Sequence, residues 1–285
     1  MRTKSLIILT LATASWFGGR VEAATFNFST GNPDGRIATA AGKAPGGGIE
    51  TESADDFVVG HKTRLAGGSF TGLLPYGETL SGVSSINIEL YRVFPGGSTN
   101  PPSGRVPTRV NSPADVAFAS RDSAAGELSY TPTVLSASFA AANSVVNGIF
   151  ASPYQYTGGE GPVAGQEVRF DFSFDKALTL DAGQYFFAPK VQLSNGSFLW
   201  LSAPKPIVSP GTPFMPDLQS WIRNTNLDPD WLRIGTDITG QGPFNAAFDL
   251  TGSTVPEPSS WALLLIGFGM VGTTLRRRQP ATVSA

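Results

Sequence analysis

The sequence of 285 residues contains no cysteine and only one histidine. Without cysteine, the chain can form no disulfide, no thiolate nucleophile, no iron–sulfur cluster and no cysteine-containing zinc site. The single histidine, His61, excludes a His-rich metal site and leaves one base for a catalytic triad. Because His61 follows a glycine in a turn-like segment and no Gly-x-Ser-x-Gly elbow accompanies it, we interpret it as structural.

Charged residues are also scarce, at 15% of the chain, whereas the 33 glycines and 22 prolines are numerous. An average soluble domain has about 25% charged residues, so this composition excludes a charged helical bundle or a coiled coil. The isoelectric point is near 5.5, and no basic stripe occurs in the middle of the chain. We therefore predict no nucleic-acid partner.

The N-terminal end has the three parts of a secretion signal in the right order. Arg2 and Lys4 supply positive charge, the stretch from Leu6 to Phe17 is mostly apolar, and Val21-Glu22-Ala23 supplies small residues at the −3 and −1 positions. The apolar stretch is too short to cross a bilayer. We predict a signal peptide at residues 1–23 that signal peptidase removes after Ala23.

The C-terminal end has a second apolar segment, which lies between a proline-rich motif and a cluster of arginines. Pro256-Glu257-Pro258 precedes the segment, and Arg276, Arg277 and Arg278 follow it. A helix from Ser259 to Leu275 would be about 25 Å long, close to the lower limit for a hydrocarbon core of about 30 Å. The arginines would remain in the cytoplasm, which places the body of the protein outside the inner membrane.

This tail resembles the PEP-CTERM sorting signal of Gram-negative bacteria. The resemblance rests on the order of the Pro-Glu-Pro motif, the glycine-containing apolar helix and the arginine cluster, and it covers about the last thirty residues. It implies that an exosortase-type enzyme recognises Pro256, Glu257, Pro258 and Arg276 to Arg278 and processes the tail. It also implies an association with exopolysaccharide production. An ordinary C-terminal membrane anchor is the alternative.

The segment between the two ends predicts one all-β domain, a single jelly-roll-like β-sandwich. Its net charge is −6, from 14 Lys and Arg against 20 Asp and Glu. Apolar and polar residues alternate in Gln166 to Phe174 and in Ser85 to Phe94, which is typical of half-buried strands. Eight further strands are predicted, at residues 25–29, 56–59, 69–74, 115–120, 183–193, 198–202, 231–234 and 244–251.

Other segments interrupt this pattern. Leu135, Phe139, Ala142, Val146 and Ile149 recur at helical spacing, so we predict one short helix within residues 134–150. The proline-rich stretches 95–113 and 203–216 predict long exposed loops. The resulting organisation is a signal peptide at 1–23, a sandwich at 24–252, a linker with the Pro-Glu-Pro motif at 253–258, a transmembrane helix with arginines at 259–278, and a cytoplasmic tail at 279–285.

Carboxylates provide the candidates for chemistry in this body. Asp228, Asp230 and Asp237 have the oxygen-ligand character of a structural Ca²⁺ site, although turn capping explains the same residues. We predict no other cofactor. Asp55 and Asp56 are a candidate carboxylate pair for glycoside hydrolysis, but adjacent residues in a strand point to opposite faces.

Aromatic residues provide a binding hypothesis. Trp221 and Trp231 lie among Pro, Asn and Asp residues, and with Trp200, Tyr154 and Tyr156 they could form a platform on which sugar rings stack. Ordinary packing in the core is the alternative for each of them.

Together these features predict an exported cell-envelope or extracellular-matrix protein, held transiently at the inner membrane and then released to the surface. We expect a non-catalytic binding or structural role associated with exopolysaccharide. Two alternatives remain: a secreted carbohydrate-active enzyme and a permanently anchored β-sandwich protein.

Overall fold

The computed structural model describes residues 23–43, 50–204, 219–255 and 266–270. The chain divides into two compact units, one formed by Ala24–Val255 and the other by the two ends of the chain. The described part of the first unit is all-β. Its strands are β1 (Thr25–Ser29), β2 (Ile37–Ala40), β3 (Gly42–Lys43), β4 (Glu50–Val59), β5 (Thr63–Pro75), β6 (Val83–Arg92), β7 (Ala119–Asp122), β8 (Leu128–Ala141), β9 (Asn143–Val145), β10 (Val163–Leu180), β11 (Gly183–Leu193), β12 (Leu199–Ala203), β13 (Trp221–Asn224), β14 (Leu232–Arg233), β15 (Asn245–Ala246) and β16 (Phe248–Thr254).

The strands form two sheets. In the first sheet, β8 pairs with β10 and β10 pairs with β5, whose other side is shared by β16 and β12. Strand β1 extends this sheet beside β16, while β15, β2 and β9 extend it from β12. The second sheet has the order β14-β13-β4-β11-β6-β7, with β3 beside β4. Among the described strands, pairing is antiparallel except between β2 and β9.

The main core lies between the two sheets and is rich in phenylalanine. In β10, Val168, Phe170 and Phe172 are buried, as the alternating sequence predicts. Phe172 stacks on Phe187 of the second sheet at a ring-centroid distance of 5.7 Å, and Phe187 stacks on Phe248 at 5.0 Å. These contacts join the sheets face to face, so the predicted all-β, sandwich-like class is confirmed.

The predicted helix within residues 134–150 is wrong. Most of this segment lies in β8 and β9, and β8 pairs with β10 through two register shifts. The pairs Leu135/Phe139 and Ala142/Val146 are four residues apart, a spacing that suits an α-helix but is also even and therefore compatible with a strand. The long neighbouring strand β10 decided between the two, because it supplies backbone partners along nearly all of β8.

Several predicted boundaries also shift in the structure. The strand expected at 115–120 is the shorter and later β7, Ala119–Asp122. The linker expected from residue 253 begins later, because β16 continues to Thr254, whose backbone N–H donates to the carbonyl of Ala24 at 2.8 Å. Pairing with β1 and β5 thus extends the strand past Gly252.

The predicted signal peptide, the Pro-Glu-Pro motif, the arginine cluster and the cytoplasmic tail lie outside the described residues, apart from Ala23. Of the predicted transmembrane helix, the structure describes only residues 266–270, which are helical. Within the described ranges, no helix has the length and apolar character needed to cross a bilayer.

Candidate functional site

Four neighbouring strands of the second sheet place one charged residue each in a row of alternating sign. The row runs from Glu89 on β6 through Lys190 on β11 and Glu52 on β4 to Arg223 on β13. Successive residues in a strand point to opposite faces. Because Leu90 belongs to the main core, the row lies on the face turned away from that core.

Lys190 is the centre of this charge row. Its Nζ donates to Glu50 Oε1 at 2.8 Å, to Glu52 Oε1 at 2.9 Å and to Glu89 Oε1 at 2.8 Å. These bonds use all three donors of an ammonium group. Three carboxylates therefore surround this lysine, two from the charge row and one from Glu50.

Tyr91 and Arg223 complete the hydrogen bonding of the row. The Tyr91 hydroxyl donates to Glu89 Oε2 at 2.6 Å and lies 3.2 Å from Glu52 Oε2. Arg223 Nε donates to Glu52 Oε2 at 2.6 Å, and the guanidinium lies 4.4 Å from the centre of the Trp231 ring. Glu52 and Glu89 consequently face the same hydroxyl group from two strands.

The two glutamates have pKa shifts of opposite direction. Burial favours the neutral form of Glu52, but the charges of Arg223 and Lys190 outweigh it and hold the pKa of Glu52 below its ordinary value. Burial raises the pKa of Glu89, and the charge of Glu52 adds to the rise, while Lys190 offsets only part of it. The environment thus favours an ionised Glu52 and makes Glu89 the easier of the two to protonate.

The other members of the row remain in fixed protonation states at neutral pH. Burial alone would lower the pKa of Lys190, but the charges of Glu52 and Glu89 raise it above its ordinary value. Burial and the charge of Glu52 raise the pKa of Tyr91. Lys190 is therefore a permanent cation, and Tyr91 is a hydrogen-bond donor that does not ionise.

The charge row borders an open cleft of about 540 Å³. Glu50, Glu89 and Lys190 lie on its floor strands, and Thr99, Asn100 and Asp115 come from the long connection between β6 and β7. The cleft carries more carboxylates than cations, so it favours polar ligands without strong negative charge. Two of its carboxyl groups differ chemically, because Glu52 is held ionised whereas Glu89 protonates more easily.

A buried arginine ties down the proline-rich segment 95–113, which is a largely exposed loop, as predicted. The Arg109 side chain is 1% exposed and donates to Asp115 Oδ1 at 3.0 Å and to Asp230 Oδ1 at 2.9 Å. Its guanidinium also lies 4.5 Å from the centre of the Phe94 ring. Two buried ion pairs therefore fix the loop over the outer face of the second sheet.

The structure corrects the expected sugar platform. Trp221 is 1% exposed and Trp231 is fully buried, so neither ring presents a face on which a sugar could stack. Both belong to a second, smaller core beneath the proline-rich segment, and Trp231 Nε1 donates to the carbonyl of Ala114 at 3.2 Å. Their polar sequence neighbours are turn residues that lead into this core.

The three aspartates expected to bind Ca²⁺ are each held by a different arginine. Asp228 pairs with Arg223 at 2.8 Å, Asp230 with Arg109 at 2.9 Å, and Asp237 with Arg233 at 2.5 Å. In the part of the chain that the structure describes, no group of three or more His, Cys, Asp or Glu residues could hold a metal ion. The aspartates thus close ion pairs instead of forming one ligand set.

Asp55 and Asp56 do not face one another across a cleft. Asp55 Oδ2 accepts from the Ala246 backbone N–H at 2.7 Å inside the sandwich, whereas Asp56 Oδ2 accepts from Gln184 Nε2 at 2.8 Å. Adjacent residues in β4 point to opposite sides, as strand geometry requires. His61 lies exposed in the turn between β4 and β5.

Glu52, Glu89, Lys190 and Arg223 are not among the site residues that the sequence predicts. None of them belongs to a local motif, because strands that are distant in sequence bring them together. The alternation in segment 85–94 was the one indication, because it places Glu89 and Tyr91 together on the face opposite to Ile88 and Leu90.

Comparison with known proteins adds information at the C-terminal end. Residues 254–278 match the PEP-CTERM protein-sorting motif. No curated protein and no solved structure matches the chain significantly. The chain therefore carries the sorting motif that its tail resembles, and this motif marks an exported, surface-targeted protein that an exosortase-type enzyme processes.

Proposed function

We propose that this exported PEP-CTERM protein is a non-catalytic cell-envelope or extracellular-matrix component that associates with exopolysaccharide. Signal peptidase removes residues 1–23, the C-terminal helix holds the chain transiently in the inner membrane, and the exosortase-type enzyme then processes the tail. The jelly-roll-like body acts at the surface as a binding or structural module. The proposal requires no cofactor.

The observation that carries this proposal is the sorting motif at residues 254–278, which follows directly on a compact β-rich body. Apart from Thr254, the last residue of β16, the motif lies beyond the described strands of the body. The body's ion pairs further support a structural role, because Lys190 and Arg109 are engaged by carboxylates of the same chain.

The intact mass of the mature protein tests the sorting part of the proposal. We expect a mass that lacks both ends when the protein is isolated from a host with its exosortase. The C-terminal tail should return when the exosortase gene is deleted. A mass ending at Ala285 in both strains would contradict the proposal and favour a permanently anchored protein.

Co-fractionation tests the association with exopolysaccharide. The mature protein should sediment with the host's extracellular polysaccharide and appear in the soluble fraction of a mutant that makes none. A signal-peptide fusion of an unrelated secreted domain to residues 253–285 controls for the tail. If the fusion sediments equally well, the β-rich body does not contribute to the association.

A second candidate, hydrolysis of glycosidic bonds, is favoured by one observation in the charge row. Glycosidases use a protonated carboxylic acid and an ionised carboxylate on either side of the bond. Glu89, with its raised pKa, and Glu52, with its lowered pKa, both lie within hydrogen-bond distance of the Tyr91 hydroxyl. In that reaction Glu89 would protonate the leaving oxygen, and Glu52 would activate water or attack the sugar.

Release of reducing ends from purified polysaccharides distinguishes the two candidates. If the enzyme hypothesis holds, Glu52→Gln and Glu89→Gln each abolish release, whereas Glu50→Gln retains it, because Glu50 bonds Lys190 but is more exposed. An absence of release from the host's exopolysaccharide by the unmodified protein would remove this candidate.

A further inference from the structure

The loop between β9 and β10, residues 146–162, presents aromatic rings to solvent. Phe150 is 52% exposed, Tyr154 is 77% exposed and Tyr156 is 66% exposed. Large apolar groups are normally buried, so three exposed rings within one loop make this loop a candidate binding surface. The β9–β10 loop therefore offers a ligand the exposed aromatic rings that the buried Trp221 and Trp231 do not.

The β9–β10 loop is held in shape by polar side chains. Glu160 Oε1 accepts from the backbone N–H groups of Asn147 and Gly148, both at 2.6 Å. The Asn143 side chain donates to the carbonyl of Gly158 at 2.9 Å and accepts from the N–H of Gly161 at 3.0 Å. A loop fixed at both ends loses little conformational entropy when a ligand binds.

Gly159 shows that this shape is specified closely. Its φ is +86°, and a Cβ at this position would lie 2.4 Å from Asn143 Oδ1. Only glycine combines that backbone conformation with such a close approach. The chain thus uses a glycine and a buried amide to fix a loop whose aromatic residues point away from the core.

A cavity of about 370 Å³ opens beside Phe150. Phe150 and Ala151 form part of its wall, and Asn147, Asn226 and Arg105 supply polar groups. Tyr154 lies one turn further along the chain, where its N–H donates to the carbonyl of Ala151. An aromatic face next to amide and guanidinium donors suits a sugar ring, which has apolar C–H faces and hydroxyl edges.

The charges around the cavity indicate which sugars fit. Between Glu127 and Glu160 the sequence has no charged residue. Among the described residues that line the cavity, Arg105 is the one with a charge, and it donates to the carbonyl of Asn226. The described lining therefore offers a single cation to an anionic polymer, and the acidic body as a whole disfavours such a polymer.

We propose that the cavity beside Phe150 binds neutral hexose units of a polysaccharide, with Phe150 as the stacking ring in its wall and the exposed Tyr154, one turn along the chain, as a second ring outside it. This inference rests on the proposed association with exopolysaccharide and names the site and the sugar class for it. It assigns binding to the β9–β10 loop and leaves the charge row with a role in stability.

The test compares ring substitutions in the full secreted protein. Affinity electrophoresis with dextran and barley β-glucan measures binding to neutral polymers, and alginate supplies the charged comparison. Phe150→Ala and Tyr154→Ala should each weaken binding to at least one neutral polymer by about tenfold, the loss expected when one buried apolar contact is removed. Tyr154→Phe should retain most of the binding, because the ring remains.

Tyr76→Ala is the matched control, since Tyr76 is 70% exposed but lies at the end of β5. Its removal should leave binding unchanged. The inference is overturned if no neutral polymer binds, if alginate binds more tightly than both, or if Phe150→Ala and Tyr76→Ala behave alike. If the Phe150→Ala protein still sediments with the host exopolysaccharide, this site alone is overturned. If the unmodified protein does not sediment with it, the proposed function is contradicted.

Discussion

The charge row on the second sheet and the β9–β10 loop beside the first sheet use their side chains in opposite ways. In the charge row, Lys190 and Arg223 are surrounded by carboxylates of the same chain, and their polar groups are occupied. In the β9–β10 loop, polar side chains fix the backbone while Phe150 and Tyr154 remain exposed. The charged groups of the row are thus bonded to one another, whereas the aromatic rings of the β9–β10 loop remain accessible to a ligand.

This difference indicates where a ligand can gain binding energy. A polar ligand at the charge row must compete with short ion pairs that are already formed, which reduces its net gain. A sugar ring on Phe150 instead covers apolar surface that is in contact with water, and this burial is favourable. Substitutions in the two regions should therefore separate stability from binding.

The largest loss of stability is expected at Arg109, which lies beside the charge row. Arg109→Met leaves Asp115 and Asp230 buried without their cation, so the free energy of unfolding should fall by about 3–5 kcal/mol. Urea denaturation measures the change. Arg169→Met is the control, because Arg169 and Asp171 form a half-exposed pair on β10 whose loss should cost less than about 1 kcal/mol. Equal losses for the two variants would refute the structural role of Arg109.

Glu52→Gln should have the next largest effect. The substitution removes the carboxylate that Arg223 and Lys190 share, and we expect a loss of about 3 kcal/mol at neutral pH. Because the pKa of Glu52 is lowered in the fold, its contribution is present above the ordinary value of 4.5 and is lost as the pH falls through the folded pKa. The difference between the wild-type protein and Glu52→Gln should therefore shrink toward acid pH in a series of urea titrations.

Gly159→Ala tests the framework of the β9–β10 loop. The left-handed conformation and the close approach to Asn143 predict a loss of about 1–2 kcal/mol. Gly158→Ala is a useful comparison, because its φ of +81° is similar but no atom lies within 4 Å of the added Cβ. If the two variants unfold at the same temperature, the contact with Asn143 does not constrain the loop.

Glu89→Gln should change stability by less than about 1 kcal/mol, with a pH dependence opposite to that of Glu52→Gln. The raised pKa of Glu89 means that the fold disfavours its ionised form. Wild-type stability should therefore decrease as the pH rises from the ordinary value of 4.5 through the folded pKa, and glutamine removes this decrease. A variant that loses stability relative to wild type as the pH rises would contradict the assigned direction.

The smallest effect on stability is expected for the exposed rings of the β9–β10 loop. Phe150→Ala and Tyr154→Ala remove rings that are mostly solvent-exposed, so each should alter the free energy of unfolding by less than about 0.5 kcal/mol. Thermal unfolding followed by circular dichroism measures this. A drop of several degrees would mean that the rings support the fold and are not reserved for a ligand.

The strands with the clearest alternation were predicted well from the sequence. Gln166 to Phe174 lies within β10, and the predicted strands 25–29 and 183–193 coincide with β1 and β11. The segment 134–150 was interpreted wrongly, because its apolar spacing fits two periods and only pairing with β10 selected the strand. The predicted exposure of Trp231 was wrong for a related reason. Its sequence neighbours are polar, but its ring packs in the second, smaller core with Trp221 and Tyr91.

The sequence by itself determined two properties of this protein, its export with a sorting motif and its all-β fold class. The sorting motif at residues 254–278 is a local signal that a processing enzyme reads along the chain, and alternation in the strands depends only on neighbours in sequence. The tertiary structure alone decided which side chains meet. Glu52, Glu89 and Lys190 come from three strands far apart in the chain, and whether an aromatic ring is buried or exposed depends on what the rest of the fold places over it.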